Sequence, residues 1–265
     1  MKNLNLLIVE GNLESENDNF KNSGIPTHSE SLKESLSYYT NNLNIDVFNP
    51  CSEKSFDKIL PTLEKYDGMI WGGSSLNIYN DCIEIKQQIS FMKECFKKIN
   101  KILAICWGMQ VAVTAAGGEV KKSIKGAHIG IANNIKINEN GLKHPLYKFK
   151  NQKFNSPAFN FDEVVKLPNG AINLASNNIN EVQSIHLKSG ISEVWGLQYH
   201  PEITYHKMIT LINFRKDKLI NNRKCFNNEK EIQKHIEFIE REIKISNKDS
   251  RMLELKNWLD YLKAA

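Results

Sequence analysis

Ala104-Ile105-Cys106-Trp107-Gly108-Met109-Gln110 places one cysteine where an apolar run ends and a helix begins. Residues 102–105 are short and wholly apolar, the pattern of a buried strand, and the alanines and valines after Gln110 read as a helix. A cysteine at that joint faces the unpaired N–H groups of a helix start, which stabilise a thiolate and lower its pKa. Gly108 permits a sharp turn and close packing behind it. A strand that turns straight into a helix is the unit of α/β architecture.

Working outward, residues 4–9 read as a buried strand that ends at Glu10-Gly11. A polar stretch, Asn12 to Pro26, follows. Thr27 and Glu30 have capping-box spacing, and Leu32, Leu36 and Tyr39 continue at helical spacing. Residues 45–48 suggest a second strand, Phe56, Ile59, Leu60 and Leu63 a helix, and residues 69–71 a third strand running into Gly72-Gly73-Ser74. A helix is expected over 81–98, before the strand that carries Cys106. Alternating strands and helices predict an α/β fold: an open, mostly parallel sheet flanked by helices. After Gly117-Gly118 the pattern changes to short β-like runs at Val120, 129–131, 135–137, 164–165, 172–174, 182–185 and 194–199, separated by Gly and Asn. These should add mixed or antiparallel strands to the same sheet.

From about Lys207 the chain becomes helical and highly charged. Ile232, Ile236, Ile239 and Ile243 form one apolar stripe; Met252, Leu255, Leu259 and Leu262, with Trp258, form another. Either these stripes pack on the main domain or they meet a dimer or synthetase partner. The expected organisation is one domain over 1–206 and a helical extension over 207–265.

Composition excludes several classes. Of 265 residues, 41% are hydrophobic and 25% charged, which suits a soluble globular domain. The net charge of +5 comes from lysines interspersed with glutamates, not from a basic groove, so nucleic acid is not an expected partner. No apolar run approaches a membrane span, and no signal peptide is recognisable. The five cysteines form no C-x-x-C pair and no metal-ligand spacing, so a reducing, cytoplasmic location is expected and no metal or cofactor.

His200-Pro201-Glu202 closes the last expected strand. Alternation puts His200 and Glu202 on one side of an extended segment, and Pro201 favours that conformation for the residue before it. A carboxylate beside an imidazole fixes its tautomer and raises its basicity. Cys106, His200 and Glu202 are therefore a candidate nucleophile, acid/base and orienter. The joint follows the logic of the nucleophile elbow, with sulfur in place of oxygen. The Gly72-Gly73 turn can aim a backbone N–H at a substrate oxygen, and with the N–H of Trp107 would make a two-donor oxyanion hole.

These residues resemble a known family. Ala104 to Gln110 matches the elbow of class I (triad-type) glutamine amidotransferases, Gly-(Ile/Leu/Val)-Cys-x-Gly-(His/Met)-Gln, apart from Ala104 for the first glycine. Gly196-Leu197-Gln198-Tyr199-His200-Pro201-Glu202 matches the family's closing motif at every position. Ala116 to Val120 and Asn160 to Ala171 resemble two further family segments, and the likeness spans about residues 3–205. It implies a flavodoxin-like fold with Cys106, His200 and Glu202 catalytic and Gly73 and Trp107 donating to the oxyanion. It also implies Gly72, Gln110 and Asn160 at the substrate, Gln110 holding its α-amino acid end. Met109, a variant shared with γ-glutamyl hydrolases, replaces the commoner His. Asn160 stands where many members have His, and His128 where many have Glu.

The resemblance implies cleavage of a γ-glutamyl amide, a small-molecule substrate, through a thioester. Two alternatives stand beside a free hydrolase: a glutaminase subunit that feeds ammonia to a separate synthetase, and a catalytically silent binding domain. Asn12 to Pro26 follows the first strand, so it should emerge at the carboxyl end of the sheet as a lid or specificity loop, or else as a passive excursion.

Overall fold

The structure is a computed structural model that describes residues 3–53 and 55–264. Among them the central sheet has nine strands: β1 (Leu4–Val9), β2 (Leu43–Phe48), β3 (Gly68–Trp71), β4 (Lys101–Ile105), β5 (Ala132–Ile137), β6 (Lys153–Ser156), β7 (Ile172–Ser176), β8 (Ser184–Ser189) and β9 (Ser192–Leu197). Their order is β2-β1-β3-β4-β9-β8-β7-β5-β6. The first five in that order run parallel, with β9 beside β4 in the register Gly196 to Ala104. The other four join antiparallel, as expected of the second half of the chain. Two small ladders, Glu119–Lys122 with Asp162–Lys166 and His128–Ile129 with Phe159–Asn160, lie outside this sheet.

Apart from the edge strand β2, the parallel strands are buried on both faces, and their period-2 alternation sorts side chains into two cores. Leu7, Val9, Met69, Trp71, Ile102 and Ala104 pack with helices α3 (Ile83–Cys95) and α4 (Trp107–Ala115), numbered after α1 (Glu14–Asn22) and α2 (His28–Ser37). Leu6, Ile8, Ile70, Leu103 and Ile105 point the other way, onto Leu32 and Leu36 of α2. Thr27 caps α2 with the expected box: its hydroxyl accepts from Glu30 N–H and its own N–H donates to Glu30.

The extension continues through α5 (Tyr205–Phe214), α6 (Glu229–Ile245) and α7 (Leu253–Lys263). Both apolar stripes are consumed within the chain, which corrects the idea that they are free to dock a partner. Ile232, Ile236 and Ile239 pack on Ile129, Ile131 and Ile212. Met252, Leu255, Trp258, Leu259 and Leu262 complete the core on the α2 side. A Cβ on Gly68 would lie 2.9 Å from the Trp258 ring, so strand and indole fit only with glycine there. A buried ion pair, Lys150 with Glu254 at 2.9 Å, fixes α7, and Glu254 also accepts from the Tyr199 hydroxyl at 2.8 Å.

Three expectations change. The polar stretch after β1 contains α1, which buries Phe20 and shows no apolar stripe to read. The helix expected at 56–63 is a 3₁₀ turn, Leu60–Lys65, because Pro61 supplies no N–H for a longer ladder. The strand expected at 129–131 shrinks to the two residues His128–Ile129. Among the described residues no helix is long and apolar enough to cross a membrane.

Candidate active site

Cys106 sits between β4 and α4 with φ 52° and ψ −101°, a left-handed conformation costly for any side chain. Such strain costs about 1–3 kcal/mol and persists only where neighbours over-determine it. Here they do. Cys106 N–H donates to Leu197 O on β9 at 2.6 Å, Gly108 N–H to Gly72 O at 3.1 Å, and Gln110 N–H to Cys106 O at 3.2 Å. A Cβ on Gly108 would lie 2.4 Å from Trp71 O, which makes glycine obligatory behind Cys106. Ala104, where the family pattern has glycine, is fully buried without disturbing the elbow, and Met109 fills the space over Gly196.

Neighbouring strand ends supply the rest. Beyond β9 the chain leaves the sheet in a turn, not in the extended form expected, and this turn brings the pair together: His200 Nδ1 lies 2.6 Å from Glu202 Oε1. The Cys106 thiol is the other group that acts on the His200 ring. Burial disfavours the imidazolium, but Glu202 and then Cys106 outweigh it and raise the pKa of His200 to about 10. The turn is held from outside: Ser35 Oγ donates to Glu202 O at 2.9 Å, and Arg251 Nη1 donates to Ile203 O at 2.8 Å and also to Pro201 O.

His28, the first residue of α2, was not marked by any sequence pattern. Its ring stacks on His200 with centroids 5.5 Å apart and planes 20° from parallel. Burial, His200 and Arg215 push its pKa down to about 3, so it stays neutral beside the imidazolium. A Cβ on Gly73 would lie 2.5 Å from His28 Cε1, so the second glycine of the pair admits this ring. Glu10, at the end of β1, accepts from Ser29 N–H at 3.0 Å and locks the start of α2 in place.

Trp107 opens α4, so its N–H has no intrahelical partner and is available beside the thiol. Its indole donates to Gln88 Oε1 at 2.6 Å, which anchors the elbow to α3. Gln198, a motif residue not singled out from sequence, points Nε2 at Cys106 Sγ at 3.5 Å and accepts from Gln110 Nε2 at the same distance.

The thiol opens into a narrow cavity of about 40 Å³, lined near Cys106 by Trp107, Gln110 and Asn160. The candidate substrate residues are thus dispersed. Gln110 faces the cavity. Asn160 lines it, yet both ends of its carboxamide are engaged: Oδ1 lies 3.0 Å from His128 Nδ1, and Nδ2 donates to Gln198 O at 3.4 Å. Gly72 sits behind the elbow and outside the cavity lining, its carbonyl committed to Gly108. His128, the other departure, is buried and bridges Asn160 and Asn177.

The far wall comes from parts of the chain with no motif. Arg215, Lys218 and Arg223 reach the cavity from the segment after α5. Glu16 of α1 pairs with Arg215 at 2.9 Å, and Arg215 also bonds Ser75 Oγ beyond the glycine pair. The insertion after β1 and the C-terminal extension therefore lock together as a roof.

Comparison with known proteins agrees with this fold. The model of the glutamine amidotransferase class-I family matches residues 27–216. A γ-glutamyl-L-1-hydroxyisopropylamide hydrolase of a Pseudomonas species is 32% identical over 207 residues, 77% of this chain and 69% of that protein. A subunit of the glutamine-hydrolysing GMP synthase from Sulfolobus acidocaldarius is 28% identical over 56% of this chain and 74% of its own length. A glutamine amidotransferase crystal structure from Thermotoga maritima superposes over 100% of both chains with a TM-score of 0.67 at 20% identity. The chain belongs to the class I glutamine amidotransferase family.

Proposed function

We propose that this protein hydrolyses a γ-glutamyl amide through a thioester on Cys106, releasing glutamate and ammonia or an amine. The observation that carries the reading is the strained elbow at Cys106 beside a histidine that it influences and that Glu202 holds at 2.6 Å. Cys106 Sγ attacks the γ-carbonyl carbon, and the oxyanion rests on the N–H groups of Gly73 and Trp107. His200 gives its proton to the leaving nitrogen as the C–N bond breaks. Water then loses a proton to His200 and attacks the thioester; the C–S bond breaks and glutamate leaves. A reducing compartment such as the cytoplasm keeps the nucleophile free, and all five cysteines are unpaired thiols.

The relative from Pseudomonas, named for hydrolysis of a γ-glutamyl amide, supports a free hydrolase. The match to a GMP synthase component supports a second reading, in which ammonia passes to a synthetase partner. A release assay over a panel of γ-glutamyl amides, glutamine included, separates them. Turnover by the protein alone is expected. Release from glutamine that begins only when a synthetase is added would favour the second reading, and no release under either condition would overturn both.

A further inference from the structure

The acyl half of a substrate bound at Cys106 has one place to go. The leaving group must face His200, which does not line the cavity, so the glutamyl chain runs the other way, past Gln110. Its α-carbon is three bonds from the attacked carbon and carries two opposite charges. The cavity wall there carries two opposite charges as well. Asp162 is 4% exposed and accepts from the Tyr79 hydroxyl at 3.0 Å. Burial raises its pKa to about 6, in spite of the Tyr79 hydrogen bond and the nearby Arg223 and Lys122.

Lys218 and Arg223 line the same cavity from the extension, with Arg223 close enough to Asp162 to act on its charge. Arg223 donates to Asn77 at 3.3 Å, lies 4.4 Å over the Phe161 ring and also meets the Tyr79 hydroxyl, and its five N–H donors exceed these partners. Lys218, at the rim, has no carboxylate partner among the described residues; burial and its two arginine neighbours lower its pKa. Arg215 is already satisfied by Glu16, so it acts as the strut that sets this wall in place.

We infer that the wall reads the α-amino acid itself: Lys218 and Arg223 bind the α-carboxylate, and Asp162 takes the α-ammonium. This rests on the γ-glutamyl reading above and assigns a substrate-recognition task to the C-terminal extension. Position supports the pairing, since charge-assisted hydrogen bonds to both ends orient the chain toward the thiol. It also excludes simple amides, because an acyl group without both charges leaves buried partners unpaired.

The test follows alkylation of Cys106 by mass spectrometry, so the leaving group plays no part. The reagents are 6-diazo-5-oxo-L-norleucine, its analogue without the α-carboxylate and its analogue without the α-amino group. Lys218→Met should slow the amino acid reagent about tenfold, the weight of one hydrogen bond to a charged group, and leave the des-carboxy reagent unchanged. Lys218→Glu should slow the amino acid reagent further and speed the des-carboxy one. Asp162→Asn, which keeps its bond from Tyr79, should slow both reagents that carry an ammonium and spare the des-amino one. Equal slowing of all three reagents, or no slowing, would overturn the inference while leaving the thiol chemistry intact. Failure of every reagent to label Cys106 in the unaltered protein would instead remove the γ-glutamyl reading beneath it.

Discussion

The proposed catalytic corner and the roof over it are built in opposite ways. The corner takes Cys106, Gly73 and His200 from the ends of adjacent parallel strands, and short backbone hydrogen bonds between neighbours hold it. The roof joins α1 to the segment after α5 through side chains, with Glu16 paired to Arg215, 199 residues apart in sequence, and Arg215 lying over the Phe20 ring. Strand ends give rigid positions, which suits bond-making geometry. A roof assembled from an insertion and an extension varies without touching the corner, which suits substrate choice.

That contrast predicts that changes in the corner cost kcat, whereas changes in the roof raise KM. Cys106→Ala should reduce turnover by about 10³-fold or more with the fold intact, as loss of a covalent nucleophile does. Circular dichroism and the release assay check both halves of that statement. Arg251→Met removes the donor to Pro201 O and Ile203 O behind the His200 turn. We expect about 2–4 kcal/mol of lost stability, read by urea unfolding, and a fall in kcat with it. An unchanged kcat would show that the extension does not hold the corner.

The pH profile discriminates next. Deprotonated Asp162 is needed to take an ammonium; with its pKa raised to about 6, kcat/KM should fall as pH drops through that value. Protonated His200 is needed as the acid; with its pKa raised to about 10, activity should fall as pH rises through that value. Asp162→Asn should remove the acidic limb alone. Glu202→Gln removes the main upward influence on His200, so its alkaline limb should move to lower pH. The smallest effect is expected of Glu16→Gln, which loosens the strut at Arg215: KM should rise several-fold, about 1 kcal/mol, with kcat unchanged. A fall in kcat there would merge the two regions into one.

The same contrast explains what was legible from sequence. The elbow and His200-Pro201-Glu202 are contiguous, and strand-helix alternation places them, so residue types alone outline the corner and the parallel half of the sheet. Helix α1 escaped because one buried residue, Phe20, makes no stripe. His28 escaped because its partners, Gly73 and His200, lie far along the chain and nothing in its neighbours marks it. Asp162, Lys218 and Arg223 look like any surface charges until folding sets them around one cavity. The apolar stripes of α6 and α7 were read correctly as faces, but periodicity does not say what covers a face; here it is the chain's own core.

The central claim is a γ-glutamyl thioester on Cys106, and the most direct measurement is to trap it. Acid quenching during turnover of a γ-glutamyl amide, followed by peptide mass spectrometry, should find the peptide with Cys106 heavier by one γ-glutamyl group. The adduct should disappear with hydroxylamine and be absent from Cys106→Ala. Turnover with no adduct on Cys106, or undiminished turnover in Cys106→Ala, would contradict the account.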